Sequence, residues 1–261
     1  MSVIAILCIL VIVLSITVFM VWASASIRSG VYVRAFCREK TDRKVVYLTF
    51  DDGPHPPETE RVLDVLRERG ARATFFLIGS KVSGNEAVLR RMLEEGHALG
   101  LHTYSHAGTF PLLSFDKMLA DVNEGKRAVE SVAGKKISLF RPPFGVTNPT
   151  IAKVVRTLGL RTVGWDVRSF DTMFCKSSEH SCKQSGYSCK QSGHDWYVPV
   201  VERIMKQVRP GSVILLHDRL DGASSLLALL LDSLAASGYD FTRALPNTLT
   251  SSSDSSETNL S

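Results

Sequence analysis

Residues 47–55, YLTFDDGPH, carry an apolar strand-like run into two adjacent carboxylates, Asp51 and Asp52, and then break the chain at Gly53 and Pro54. Neighbouring carboxylates repel and resist burial, so at the end of a buried strand the pair needs a cation, a shared proton or solvent. The residues around it decide which of these is supplied.

Working outward, strand-like and helix-like patterns alternate. VVYLTF (45–50) precedes PETERVLDVLRERG (57–70), whose Val62, Leu63 and Leu66 share one helical face. ATFFLIG (73–79) precedes NEAVLRRMLEEG (85–96), and HALGLH (97–102) precedes a stretch from Phe115 to Gly134 with Met118, Leu119, Val122, Val129 and Val132 at helical spacing. ISLF (137–140) leads through RPPFG to NPTIAKVVRTLG (148–159), opened by Asn148 and Pro149 and stopped by Gly159. RTVGWDV, VERIMKQVRPG, GSVILLHD, SSLLALLLDSLAASG and YDFTRAL (239–245) complete the series. This alternation predicts an α/β fold with a mainly parallel sheet, open or closed into a barrel.

In such folds the rim at the strands' C-terminal ends carries the chemistry. Asp51 and Asp52 end the first strand, His102 and His106 follow the third, Arg141 follows ISLF, Asp166 and Asp171 follow RTVGW, and His217 ends SVILL. His102 and His106, four apart, can aim two imidazoles at one point, and with Asp52 or Asp51 they make three ligands and leave a position open for water. That arrangement is the catalytic kind of metal site. His55 reads as a turn residue, His97 as a helix cap and Asp166 as a solvated or capping carboxylate; Trp165 is open between core packing and a sugar platform.

Five stretches, TFDDGP (49–54), HTYSH (102–106), RPPFG (141–145), Trp165 to Asp171 and LLH (215–217), resemble in order and spacing the successive motifs of the NodB-homology polysaccharide deacetylases, carbohydrate esterase family 4. The resemblance runs from about Val45 to Leu245. It implies a distorted (β/α) barrel and a metal-dependent hydrolase that removes acetyl groups from N-acetylated sugars; an anchored chain favours those of peptidoglycan or a chitin-like envelope glycan. It further implies Asp52, His102 and His106 as ligands of a divalent metal, with zinc the first choice and cobalt, nickel or manganese alternatives. Asp51 would be the base, His217 the acid, Arg141 the partner of the base and Asp171 the partner of the acid. Pro142, Phe144, Gly145, Trp165 and Leu215 would line the substrate site. The sequence departs from the family pattern at Thr172, where an aromatic Trp is usual. An O-acetyl esterase, a hydrolase of small amides and a non-catalytic glycan-binding module are the alternatives carried beside this reading.

The ends of the chain read differently. Met1 to Ala23 holds no charged side chain and is long enough for a membrane-spanning helix, so residues 1–24 read as an anchor or an uncleaved signal. Arg28, Arg34, Arg38, Lys40, Arg43 and Lys44 make residues 25–44 a basic juxtamembrane linker, which accounts for much of the net charge of +5. A collar beside anionic lipid explains that charge without nucleic acid. The expected placement is a single-pass membrane protein with its catalytic domain (45–245) outside the cytoplasm, although the positive-inside pattern points the other way. Within that domain, 172–197 reads as an inserted loop built on a seven-residue Cys-containing repeat, and 246–261 as a disordered Ser-rich tail.

Overall fold

The computed structural model describes residues 2–174 and 196–246. The Cys repeat and the Ser-rich tail therefore lie outside the described residues.

Helix α1 (Val3–Ala25) is followed by β1 (Val46–Gly53), α2 (Glu58–Glu68), β2 (Ala73–Leu77), α3 (Glu86–Glu94), β3 (Ala98–Leu101), α4 (Phe115–Ala133) and β4 (Leu139–Phe140). Then come α5 (Pro149–Thr157), β5 (Arg161–Thr162), β6 (Val167–Arg168), α6 (Tyr197–Met205), β7 (Ser212–His217) and α7 (Ala223–Ala236). The strands form one curled seven-stranded sheet in the order β5-β4-β3-β2-β1-β7-β6, with every neighbouring pair parallel. This is the expected distorted barrel. Local signals set its boundaries: Asn148 Oδ1 accepts from the Ile151 N–H to cap α5, and Gly134, at φ 63°, ends α4 in the left-handed conformation that lacks a Cβ penalty.

Alternation sorts the strand side chains. Leu48 and Phe50 of β1, with Ile214 and Leu216 of β7, join the apolar layer between sheet and helices, whereas Tyr47 and Val213 join a second cluster inside the barrel with Phe76, Leu139 and Val163. RTVGWDV is not one strand. Its two halves, β5 and β6, lie on opposite edges of the sheet, and the chain crosses between them at Gly164–Asp166.

The gap left there is filled by residues read as linker. Phe36 bridges to Val163 and Arg38 to Ser212; the Gly164 N–H donates to the Phe36 carbonyl, and the Glu39 N–H to the Gly211 carbonyl. YDFTRAL forms only a bridge between Asp240 and Val45, because the Asp240 carboxylate accepts both the N–H and the hydroxyl of Thr242 and turns the chain away. His97, expected as a cap, instead accepts the Ala73 N–H on Nδ1 and joins β2 to β3; burial, the largest influence, pushes its pKa down to about 4.

Helix α1 is apolar and exposed along most of its length, with a mean hydropathy that qualifies it to cross a membrane by length and composition. Only its C-terminal end is built into the barrel. Ser24 Oγ donates to the Thr147 carbonyl, and the Thr147 N–H donates back to the Ser24 carbonyl.

Helix α4 touches the HTYSH loop through Gly125, where a Cβ would stand 2.9 Å from the Thr103 carbonyl oxygen. In a helix Ala is preferred over Gly by about 1 kcal/mol, whereas overpacking against backbone costs about 1–3 kcal/mol. Gly125→Ala is therefore expected to lower the melting temperature, by up to about 8 °C, read by circular dichroism; a rise would mean that the loop yields freely.

Candidate active site

Two inner rows climb from apolar packing at the base of the barrel to chemistry at its rim. On β1 the row is Tyr47, Thr49 and Asp51; on β7 it is Val213, Leu215 and His217. The strands are in register, with Asp51 opposite His217.

Between them lies the guanidinium of Arg141, which is fully buried. Nη1 donates to Asp51 Oδ1 at 2.6 Å and to Thr49 Oγ1 at 2.9 Å, Nη2 to the Gly164 carbonyl and Nε to the Val163 carbonyl. The group also lies over the Phe76 ring at 4.1 Å. A buried cation thus holds one oxygen of the first carboxylate. The other, Oδ2, faces the second carboxylate's ligand cluster, 3.9 Å from His102 Nε2.

Asp52 sits at φ 73°, a conformation that breaks strand alternation and turns its side chain to a different cation from its neighbour's. Asp52 Oδ1 is 3.5 Å from His102 Nε2 and 3.3 Å from His106 Nε2. Donors about 3.3 Å apart are the edge of a tetrahedron whose centre lies about 2.0–2.1 Å from each, the bond length of zinc to His or carboxylate. The tautomer fits as well. His102 Nδ1 lies 2.7 Å from the Arg141 carbonyl oxygen, which can only accept, so the proton is on Nδ1 and the Nε2 lone pair faces Asp52. These three residues fit a divalent metal.

Burial raises the Asp52 pKa, but His102, His217, Arg219 and His106 outweigh it, and the carboxyl is held at about 2. Burial lowers the pKa of His106 further than its carboxylate neighbours raise it, so its imidazole favours the neutral, ligating form. His217 goes the other way. Its burial also disfavours charge, yet Asp171 Oδ1 at 2.8 Å from Nδ1 outweighs this and the net shift is upward. Asp171 Oδ2 accepts the His217 backbone N–H, so both oxygens of Asp171 fix that residue.

This geometry has known counterparts. The polysaccharide deacetylase family model matches residues 38–163. A peptidoglycan N-acetylglucosamine deacetylase of Bacillus cereus is 34% identical over 207 residues, covering 77% of this chain and 86% of the relative. The chain belongs to the polysaccharide deacetylases of carbohydrate esterase family 4. Among solved structures, the Bc1960 peptidoglycan N-acetylglucosamine deacetylase superposes with a TM-score of 0.67 at 27% identity, covering 81% of this chain and 90% of that one. Peptidoglycan deacetylase PdaC of Bacillus subtilis superposes with a TM-score of 0.62 at 30% identity, covering 77% and 87%.

In this deacetylase the remaining residues divide. Trp165 packs its ring on Gly145, where a Cβ would stand 2.4 Å from the indole, and lies 5.5 Å from the Arg141 guanidinium; it is half-buried and supports the RPPFG loop. Pro142 and Gly145 are buried there, while Phe144 is exposed at φ 61°, with its ring 5.3 Å from that of His106. Leu215 is buried on the inner row below His217. Thr172 donates its N–H to Asp171 Oδ1, so the backbone at the departing position still braces the carboxylate that holds His217. Asp166 is not on the rim. It accepts from Ser212 Oγ and the Val213 N–H at the start of β7, because the crossing at Gly164 carries it back to the sheet's base.

Several working residues escaped the sequence reading. Arg219 Nε donates to Asp52 Oδ2 at 2.7 Å, leaving Oδ1 to face the imidazoles. Asp218 is buried, bonded to Thr59, and raised to about 6 chiefly by burial; its carboxylate stands where a Cβ on Gly53 would be, which explains the glycine of TFDDGP. Lys81 Nζ donates to the Asp52 carbonyl. Adjacency to His217 was the only signal for Asp218 and Arg219. Asp121 of α4 had none: its two oxygens accept the N–H groups of Tyr104 and Ser105 and hold the HTYSH loop.

A carboxylate that orients ligand-bearing backbone acts as an outer-shell partner. Asp121→Ala is expected to weaken metal binding about 10–100-fold, measured by chelator competition, with activity recovering at saturating metal. Unchanged affinity would show that the loop holds its shape without Asp121.

Proposed function

We propose that this chain is a membrane-anchored zinc enzyme that removes the acetyl group from N-acetylglucosaminyl units of a cell-envelope glycan. The observation that carries the reading is the separation of two adjacent carboxylates: Asp51 is tied to Arg141, and Asp52 faces His102 and His106. A structural ion pair would need only the first. The similarity to peptidoglycan deacetylases supports the glycan class.

When bound to Asp52, His102 and His106, the ion supplies a Lewis acid that polarises the acetamide carbonyl and acidifies a water molecule. Asp51 accepts that water's proton through Oδ2, its geometry fixed through Oδ1 by Arg141. His217, protonated on Nδ1 by virtue of Asp171, carries a second proton on Nε2 and gives it to the departing amine. Burial of Arg141 and Asp51 keeps bulk water from competing for the base. The Pro142–Gly145 backbone borders the place where the oxyanion forms. Leu215 and Trp165 confine the acetyl group.

The catalytic domain lies outside the cytoplasm in this reading. Of the basic residues that argue otherwise, Arg38, Lys40, Arg43 and Lys44 are neighbours of α1 in sequence more than in space. Arg38 and Glu39 pair with Ser212 and Gly211 at the starting end of β7, and Lys44 lies by Asp240, so the Arg38–Lys44 charges belong to the base of a folded domain. Large domains translocate largely regardless of such charge.

The direct test is acetate release from N-acetylglucosamine oligomers and peptidoglycan by the full chain, with zinc, with a chelator, and with Asp51→Asn. Zinc-dependent release that falls by about 10²-fold or more in Asp51→Asn is expected. Release from no glycan by folded, metal-loaded protein would overturn the assignment. A pH profile separates the roles further. The His217 pKa is raised by Asp171, so Asp171→Asn removes that influence, leaves burial, and should shift the alkaline limb of kcat/KM to lower pH. An unmoved limb would remove His217 from the role of acid.

A further inference from the structure

The end of α1 does not lead into a slack tether. Besides the paired Ser24–Thr147 bonds, Ser29 Oγ donates to the Ala23 carbonyl, Tyr32 O–H reaches Met20 Sδ at 3.2 Å, and Ile27 is buried against Gly164. Thr147 lies between the end of β4 and the start of α5, so the helix docks on a loop beyond a strand's C-terminal end. That is the catalytic rim.

The contact to Met20 matters for depth. Met20 precedes Ala25 by five residues, about 7.5 Å along a helix axis. The segment around Tyr32 therefore lies alongside the last turns of the 23-residue apolar helix, at the level where Trp22 and Tyr32 would meet the interface of a bilayer. Val31, beside Tyr32, is exposed. Leu112, 86% exposed, stands on the same side: Asn148, next to Thr147, donates from Nδ2 to the Pro111 carbonyl. Exposed apolar side chains thus continue outward from the helix end along the rim, and Phe144 lies three residues from Thr147. His106, in ring contact with Phe144, falls within about 25 Å of the last turn of α1 on chain-length grounds.

We infer that the catalytic rim rests on the headgroup layer of the membrane that α1 spans, and that the site takes an N-acetylglucosaminyl unit carried on a membrane lipid. This rests on the deacetylase reading and on α1 as a retained span. A polymer remote from the bilayer would require the opposite arrangement, with the rim held away from the surface. Here the anchor enters at the rim, and the base of the barrel, with Lys40, Arg43 and Lys44, points elsewhere.

The test uses the full chain in vesicles of phosphatidylethanolamine with a minority of phosphatidylglycerol. Each vesicle preparation also carries N-acetylglucosamine oligomers coupled to a dialkyl lipid through either a short or a long polyethylene glycol spacer, and free oligomers are assayed in parallel. Acetate release from the short-spacer lipid is expected to be at least about fivefold faster than from the long-spacer lipid, because the shorter tether gives the higher effective concentration near the surface. Release from the free and long-spacer sugars alone would overturn the inference while leaving the deacetylase reading intact. Release from none would strike the deacetylase reading instead. Val31→Glu and Leu112→Glu, neither of them in the site, should cut the short-spacer rate severalfold with the free-oligomer rate unchanged; an unchanged short-spacer rate would overturn the seating. A readout independent of catalysis is Leu112→Trp. Lipids brominated near the headgroup should quench at least half of the added emission, and an unquenched signal would overturn the seating whatever the enzyme does.

Discussion

The buried contact between Arg141 and Asp51 is the constraint on which the site depends. Removing a guanidinium and a carboxylate from water costs several kcal/mol for each, and the loss is offset only if every donor and lone pair finds a partner. Arg141 meets that condition with Asp51, Thr49, and the carbonyls of Val163 and Gly164, under the faces of Phe76 and Trp165. A lysine has neither the fork nor the planar face. The same residue's carbonyl accepts a hydrogen bond from the His102 Nδ1–H. One residue at the end of β4 thus orients Asp51 through its side chain and His102 through its backbone.

Two adjacent carboxylates are tolerable because the backbone keeps them from sharing one environment. In a regular strand Asp51 and Asp52 would point to opposite faces, and Asp52 would enter the apolar layer under the helices. Its left-handed conformation, with the β1 irregularity between Asp51 and Gly53, instead brings it onto the rim. Such a conformation costs about 1–3 kcal/mol in a non-glycine residue. Thr103, His106, Phe144 and Phe170 carry the same kind of backbone, all of them on loops after strands. The Lys81 and Asp121 bonds, together with the close approach of Gly53 to Asp218 and of Gly125 to Thr103, are where the surrounding structure over-determines these conformations.

Much of this was legible because it follows local rules. The strand-to-helix alternation gave the parallel sheet, and the placement of polar residues directly after apolar runs gave Asp51, Asp52, His102, Arg141 and His217 on one rim. What was hidden depends on contacts between distant segments. Asp121 reads as an ordinary exposed position of an amphipathic helix, and nothing local says that its carboxylate meets two backbone N–H groups across the loop. Asp166 followed the rule of the rim and broke it, because RTVGWDV contains a crossing that a pattern of apolar residues cannot reveal. Residues 36–39 look like linker by charge, yet pair with the sheet because the gap between β5 and β6 needs a backbone to fill it.

That gap also joins the end of α1 to Arg141. At Gly164, the N–H donates to Phe36, the carbonyl accepts Arg141, and the Cα lies against Ile27 and Cys37 Sγ, where a side chain would stand 2.5 Å from the sulfur. Cys37 is a packing group here: burial, above all, raises its pKa to about 11, so it stays a thiol at neutral pH and is a poor nucleophile. Three segments that are remote in sequence thus converge on one glycine: the exit of α1, the strand-like filler and the guanidinium that binds Asp51. The packing of Ile27 at the end of α1 and the carbonyl that orients the Arg141 guanidinium thus belong to the same residue, so a side chain at position 164 would disturb both.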